Sequence, residues 1–168
     1  MQPDLPLSLE LLENTNDGIR LQLSICNQSD TKLVLPCLDV RGLRFVNKST
    51  LEESKWGRVA LIEGAWGFVI DPGESKQIDY FLPPIHLVPG AWEGEPAKWD
   101  GETFGDEIDV IALPSGNYLV WYQLEVGQDF FDCNSNFWLR DLQREATALK
   151  AVAWTGEQKS NRLDMVRP

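Results

Sequence analysis

The sequence is poor in the residues from which most active sites are assembled. Its 168 residues include one histidine, three cysteines and two methionines. The lone histidine, His86, rules out multi-histidine zinc sites and leaves one candidate general base. No Gly-x-Ser-x-Gly elbow supports a nucleophile. Neither Gly-x-x-x-x-Gly-Lys-[Ser/Thr] nor Gly-x-Gly-x-x-Gly occurs. Backbone amides need glycines at those positions to approach phosphate, so nucleotide handling is not expected. No apolar run reaches the length of a membrane span. Cys26, Cys37 and Cys133 are odd in number and widely spaced, which is no disulfide framework and predicts reduced thiols. Met1-Gln2-Pro3-Asp4 shows no basic region and no apolar stretch of a secretory signal, so a cytoplasmic location is expected.

Basic residues are also scarce. Fifteen Lys and Arg face twenty-six Asp and Glu, for a net charge of −11. More than half of that excess lies in residues 93–109, where one basic residue meets seven acidic ones. A field of this sign repels nucleic acid and anionic lipid, and favours a protein or peptide with a basic surface.

Period-two alternation of apolar and polar residues runs through much of the chain. Ile19, Leu21, Leu23 and Ile25 alternate with Arg20, Gln22, Ser24 and Cys26, which predicts a half-buried strand. Residues 117–126 give the strongest such signal: Tyr118, Val120, Tyr122, Leu124 and Val126 share a face, with Leu119 and Trp121 opposite. Further strands are expected at 7–12, 32–35, 38–46 with Gly42 as a bulge, within 59–70, at 78–82, 108–113, 151–154 and 161–166. Asn14–Gly18, Asn27–Asp30, Asp71–Glu74, Pro114–Gly116 and Thr155–Glu157 carry turn chemistry. Arg140–Lys150 holds good helix formers and predicts one short helix. Many short strands with little helix imply an all-β, antiparallel β-sandwich in a single domain over residues 1–168. Trp66 and Trp154 are candidates to cap its core.

One stretch breaks the pattern. Residues 84–107 form a long insert rich in glycine, proline and acid that contains Trp92 and Trp99. A connection of this length is functional or disordered, and its aromatics argue against full disorder. Aromatic anchors inside a charged rim suit recognition of a lysine- or arginine-rich partner. The candidate partner-binding residues are therefore Trp92, Glu93, Glu95, Trp99, Asp100, Glu102, Asp106 and Glu107. The carboxylates from Asp100 to Glu107 fail the EF-hand spacing, because Phe104 takes the fifth position and Ile111 the twelfth. No metal and no cofactor are expected.

Four local signatures resemble bacterial immunoglobulin-like domains: Asn27-Gln-Ser-Asp30, Asp71-Pro-Gly-Glu74, Leu113-Pro-Ser-Gly-Asn-Tyr118 and Trp154-Thr-Gly-Glu157 followed by Ser160-Asn161. The third is similar to a tyrosine corner. The layout, over roughly residues 7–167, is similar to the intracellular proteinase inhibitor family. The resemblance implies an immunoglobulin-like sandwich and a non-catalytic, protein-binding role of the inhibitor or immunity type. A carbohydrate- or calcium-binding accessory module is the alternative, with Trp92 and Trp99 stacking on sugar rings. An enzyme built on His86 and a cysteine ranks last.

Overall fold

A computed structural model describes residues 4–38, 40–55, 67–82, 98–99, 102–103, 113, 115–128 and 137–167. Strands dominate them, in antiparallel sheets, with one α-helix.

The first layer is β1 (Leu7–Thr15), β2 (Gly18–Cys26) and β7 (Ser75–Leu82), with β2 in the middle. The alternation in β2 does what it predicts: Ile19, Leu21, Leu23 and Ile25 are all buried. Leu7 and Leu9 from β1 and Tyr80 and Leu82 from β7 extend the same apolar face. β1 runs past the expected break at Asn14, because Asn14 pairs with Ile19 and Thr15 with Gly18. The turn is confined to Asn16 and Asp17. A register shift between Leu11 and Glu13 leaves Leu12 as the extra, exposed residue of a bulge.

The second layer contains β4 (Leu43–Asn47), β5 (Glu53–Lys55), β10 (Gly116–Val126), β12 (Gly156–Lys159) and β13 (Leu163–Arg167). The eleven residues of β10 organise it: β4 lies along one side, while β13 and β12 lie in tandem along the other. Tyr118, Val120, Tyr122, Leu124 and Val126 are all buried, as their spacing predicts. The expected turn at 155–157 is instead drawn into β12, where Gly156 pairs with Val126 and Glu157 with Glu125. The break between β12 and β13 is bridged by Ser160. Its N–H donates to the Tyr122 carbonyl and its hydroxyl accepts from the Tyr122 N–H, both at 2.9 Å. On the outer face the Arg162 guanidinium lies 5.1 Å from the centre of the half-buried Trp121 ring.

The two layers share one core. Tyr80 of β7 stacks on Tyr122 of β10 with centroids 5.9 Å apart, and its hydroxyl donates to the Leu38 carbonyl at 2.7 Å. One flank is stapled by Asn161. Its side-chain oxygen accepts from Leu9 N–H at 2.7 Å and its amide donates to the Leu9 carbonyl at 3.0 Å, imitating a backbone bridge.

Alternation does not reveal the third sheet, in which β3 (Leu33–Pro36) pairs antiparallel with β6 (Gly67–Ile70) and parallel with β11 (Val152–Ala153). All four residues of β3 are buried, so its unbroken apolar run suits a strand covered on both faces. The helix, α1 (Phe137–Ala148), starts earlier than expected and buries Leu142 and Ala146 near this sheet. It ends in a Schellman motif: Ala151 N–H reaches the Ala146 carbonyl and Lys150 N–H the Thr147 carbonyl, with Lys150 at φ 56°.

Gly42 corrects an expectation. It closes a short 3-10 turn, Val40–Gly42, and does not form a bulge within a strand over 38–46. A Cβ there would lie 2.2 Å from the Tyr122 ring, so the residue is small because that ring needs its space. The Asp71–Glu74 turn forms as expected, with Gly73 at φ 74° and Glu74 N–H on the Asp71 carbonyl. Trp154 and Tyr118 are buried. Cys26 is half-buried and Cys37 is exposed. Trp66, His86 and Cys133 lie outside the described residues. Among the described residues, no helix is long and apolar enough to cross a membrane.

Candidate functional site

The acidic insert contributes one described element, a small hairpin. β8 (Lys98–Trp99) pairs antiparallel with β9 (Glu102–Thr103), with Trp99 opposite Glu102 and Lys98 opposite Thr103. The register thus brings an aromatic and an acidic position together in the segment of highest negative charge. The other candidates, Trp92, Glu93, Glu95, Asp100, Asp106 and Glu107, lie outside the described residues.

A hairpin at this point is legible in one sequence signal that the reading by composition overlooks. Asp100-Gly101 separates the two strand pairs, and Asp-Gly is a favoured dipeptide for a two-residue hairpin loop. Composition marks the insert as an acidic loop, whereas this dipeptide is a sequence signal for a hairpin.

Asn27, by contrast, belongs to the fold. Its amide donates to the Thr31 and Ile70 carbonyls at 2.8 and 3.1 Å, and its side-chain oxygen accepts from the Ser29 N–H and hydroxyl at 3.0 and 2.7 Å. Its backbone pairs with Gly73 and Glu74. A fully buried asparagine with this set of bonds locks a corner and is saturated by protein groups.

Several charged side chains of the strands and their turns form ion pairs on the surface. Arg20 meets Glu13 at 3.0 Å, Lys32 meets Asp71 at 2.8 Å, Arg44 meets Glu53 at 3.4 Å and Lys159 meets Glu157 at 2.8 Å. These exposed pairs spread both signs over the strand faces and add little stability each. Just over half of the unbalanced charge lies in residues 93–109, where one basic residue meets seven acidic ones.

No protein-family model and no curated protein matches the chain.

Proposed function

We propose that this chain is an immunoglobulin-like β-sandwich that binds another protein and carries out no chemistry of its own, in the cytoplasm, as an inhibitor or immunity-type protein acting on a basic partner. Two antiparallel layers around one core support the architecture. The observation that carries the binding role is the pairing of Trp99 with Glu102 in a segment holding most of the net charge. Tryptophan supplies apolar area and a π-face for a cation, while surrounding carboxylates steer a basic surface toward it. A two-stranded platform also reduces the ordering entropy that a free loop loses on binding.

The test is affinity capture with the full chain and a variant in which Glu93, Glu95, Asp100, Glu102, Asp106 and Glu107 become amides. The expected result is a basic protein retained by the wild type, with capture that weakens in salt and is lost in the amide variant. Equal capture of every retained protein by the two chains would remove the insert as the binding surface.

A further inference from the structure

The third sheet ends in an open edge. β11 stands at one end of the order β11-β3-β6, and among the described residues no strand pairs with its far side. The N–H groups of Val152 and Trp154 turn inward, to the Lys32 and Val34 carbonyls at 2.8 and 3.0 Å. Backbone groups alternate in direction along a strand, so the N–H and C=O of Ala153 between them face outward. Natural proteins usually blunt such edges with charge, proline or a bulge. The larger sheet follows that rule at both ends, with Glu53 in β5 and with Glu157 and Lys159 in β12. β11 is Val152-Ala153 after Ala151, without charge or proline, and Val152 is 51% exposed.

Beside this edge lies an open groove of about 320 Å³. Leu142, Ala146 and Thr147 of α1 form one wall, and Val34, Ala151 and Ala153 of the sheet form the other. Leu33 and Val152 take no part, so the groove lies on the one face of the sheet that Val34 and Ala153 share. The packing of α1 explains the gap. Leu142 seats the helix over Gly67 of β6, where a Cβ would lie 2.5 Å from its Cδ2. Toward β11 the helix and the strand meet through alanines, which do not fill the space between them.

We infer that this groove binds an extended peptide segment of a partner protein, added antiparallel to β11, with one large apolar side chain in the gap. The peptide residue opposite Ala153 accepts from the Ala153 N–H and donates to the Ala153 carbonyl. Residues directly opposite in an antiparallel pair share a face, so the same residue turns its side chain into the groove. Main-chain bonds then supply affinity, and the gap selects the side chain. Its volume is at the low end of ligand clefts, about 300–1,000 Å³, which suits a leucine, methionine or phenylalanine side chain. A second copy of this chain fits poorly, because its own β11 offers only alanine and valine and leaves most of the gap empty. None of the groove's residues belongs to the acidic insert, so this is a second surface, separate from Trp99 and Glu102.

The test selects binders to the immobilised full chain from a phage-displayed library of random linear peptides. The enriched peptide is synthesised and titrated by fluorescence anisotropy. Wild type is compared with Ala153→Pro, which removes the outward N–H at an edge position that tolerates proline, and with Ala153→Leu, which fills the gap. The selected peptides should share one large apolar residue, and both variants should bind about tenfold more weakly or worse. On the wild-type chain, N-methylation of that apolar residue should weaken binding as much, while N-methylation of the next residue, whose N–H points away from β11, should change little. This comparison needs no variant of the chain, so misfolding cannot imitate it. The variant with amides in the acidic insert should bind the peptide as the wild type does. No enrichment over bare support, unchanged affinity in Ala153→Pro or Ala153→Leu, or equal effects of the two methylations would overturn the groove. Peptide binding kept by both Ala153 variants but lost in the amide variant assigns the peptide to the insert and sinks the groove alone. Self-association that Ala153→Pro abolishes would give the edge to a second copy and sink the peptide site.

Discussion

Leu51 and Lys150 share a corner of backbone space, at φ 60° and 56°, yet they sit in regions that treat it differently. Lys150 follows a helix whose last carbonyls are closed by the Schellman bonds of Lys150 and Ala151. A cation there meets the negative end of the helix dipole, which offsets part of the left-handed cost. Leu51 has no such return: its hairpin supplies neither a charge for it to meet nor a surface for it to cover. Gly42 and Gly67 complete the contrast. Both have ordinary φ, and both are small because a Cβ would collide, with Tyr122 in one case and with the Leu35 carbonyl and Leu142 in the other. The chain thus keeps glycine where space demands it and omits it at two places where only the backbone would prefer it.

Substitutions that separate space from backbone conformation can break this comparison. The largest effect is expected from Gly67→Ala, whose Cβ would lie 2.2 Å from the Leu35 carbonyl oxygen. Urea unfolding should show a loss of about 3 kcal/mol, because a backbone atom cannot step aside as a side chain can. Gly73→Ala isolates the conformational term, since φ is 74° and nothing lies within 4 Å of the added Cβ. Its loss should be about 1 kcal/mol. Leu51→Gly is the reverse experiment and should gain about 1 kcal/mol, or about 2–4 °C in melting temperature, whatever the ionic strength. Lys150→Gly should do least at low salt, where relief of strain and loss of the dipole contact nearly cancel. It should gain up to about 1 kcal/mol as salt screens that contact. Equal salt dependence for the last two would show that the cation at the helix end contributes nothing.

The central strands were legible because burial on one face writes itself as alternation. β2 and β10 bury the residues their spacing selects, and the Asp71–Glu74 turn follows from proline and glycine chemistry. β3 carries no alternation because both its faces are covered, and its parallel partner β11 arrives more than a hundred residues later. The hairpin inside the acidic insert was masked by composition, although Asp100-Gly101 signals it. The left-handed, exposed Leu51 was not read from Asn47–Glu52, a loop closed by bonds to Asn47 and held from outside through Lys48 by Asn117 and Asp164, distant in sequence.

By itself the sequence determined the β-rich class, the inward faces of the central strands, and the place where negative charge concentrates. All three follow from local periodicity and from counting charges. Only the tertiary structure decided that Asn161 would bridge to Leu9, that Gly42 would make room for the Tyr122 ring, and that a rigid hairpin would hold Leu51 in water. The first two join groups distant in sequence, and the hairpin is tied through Lys48 to Asn117 and Asp164. Such contacts form only when layers pack, and no window of neighbouring residues records which groups packing brings together.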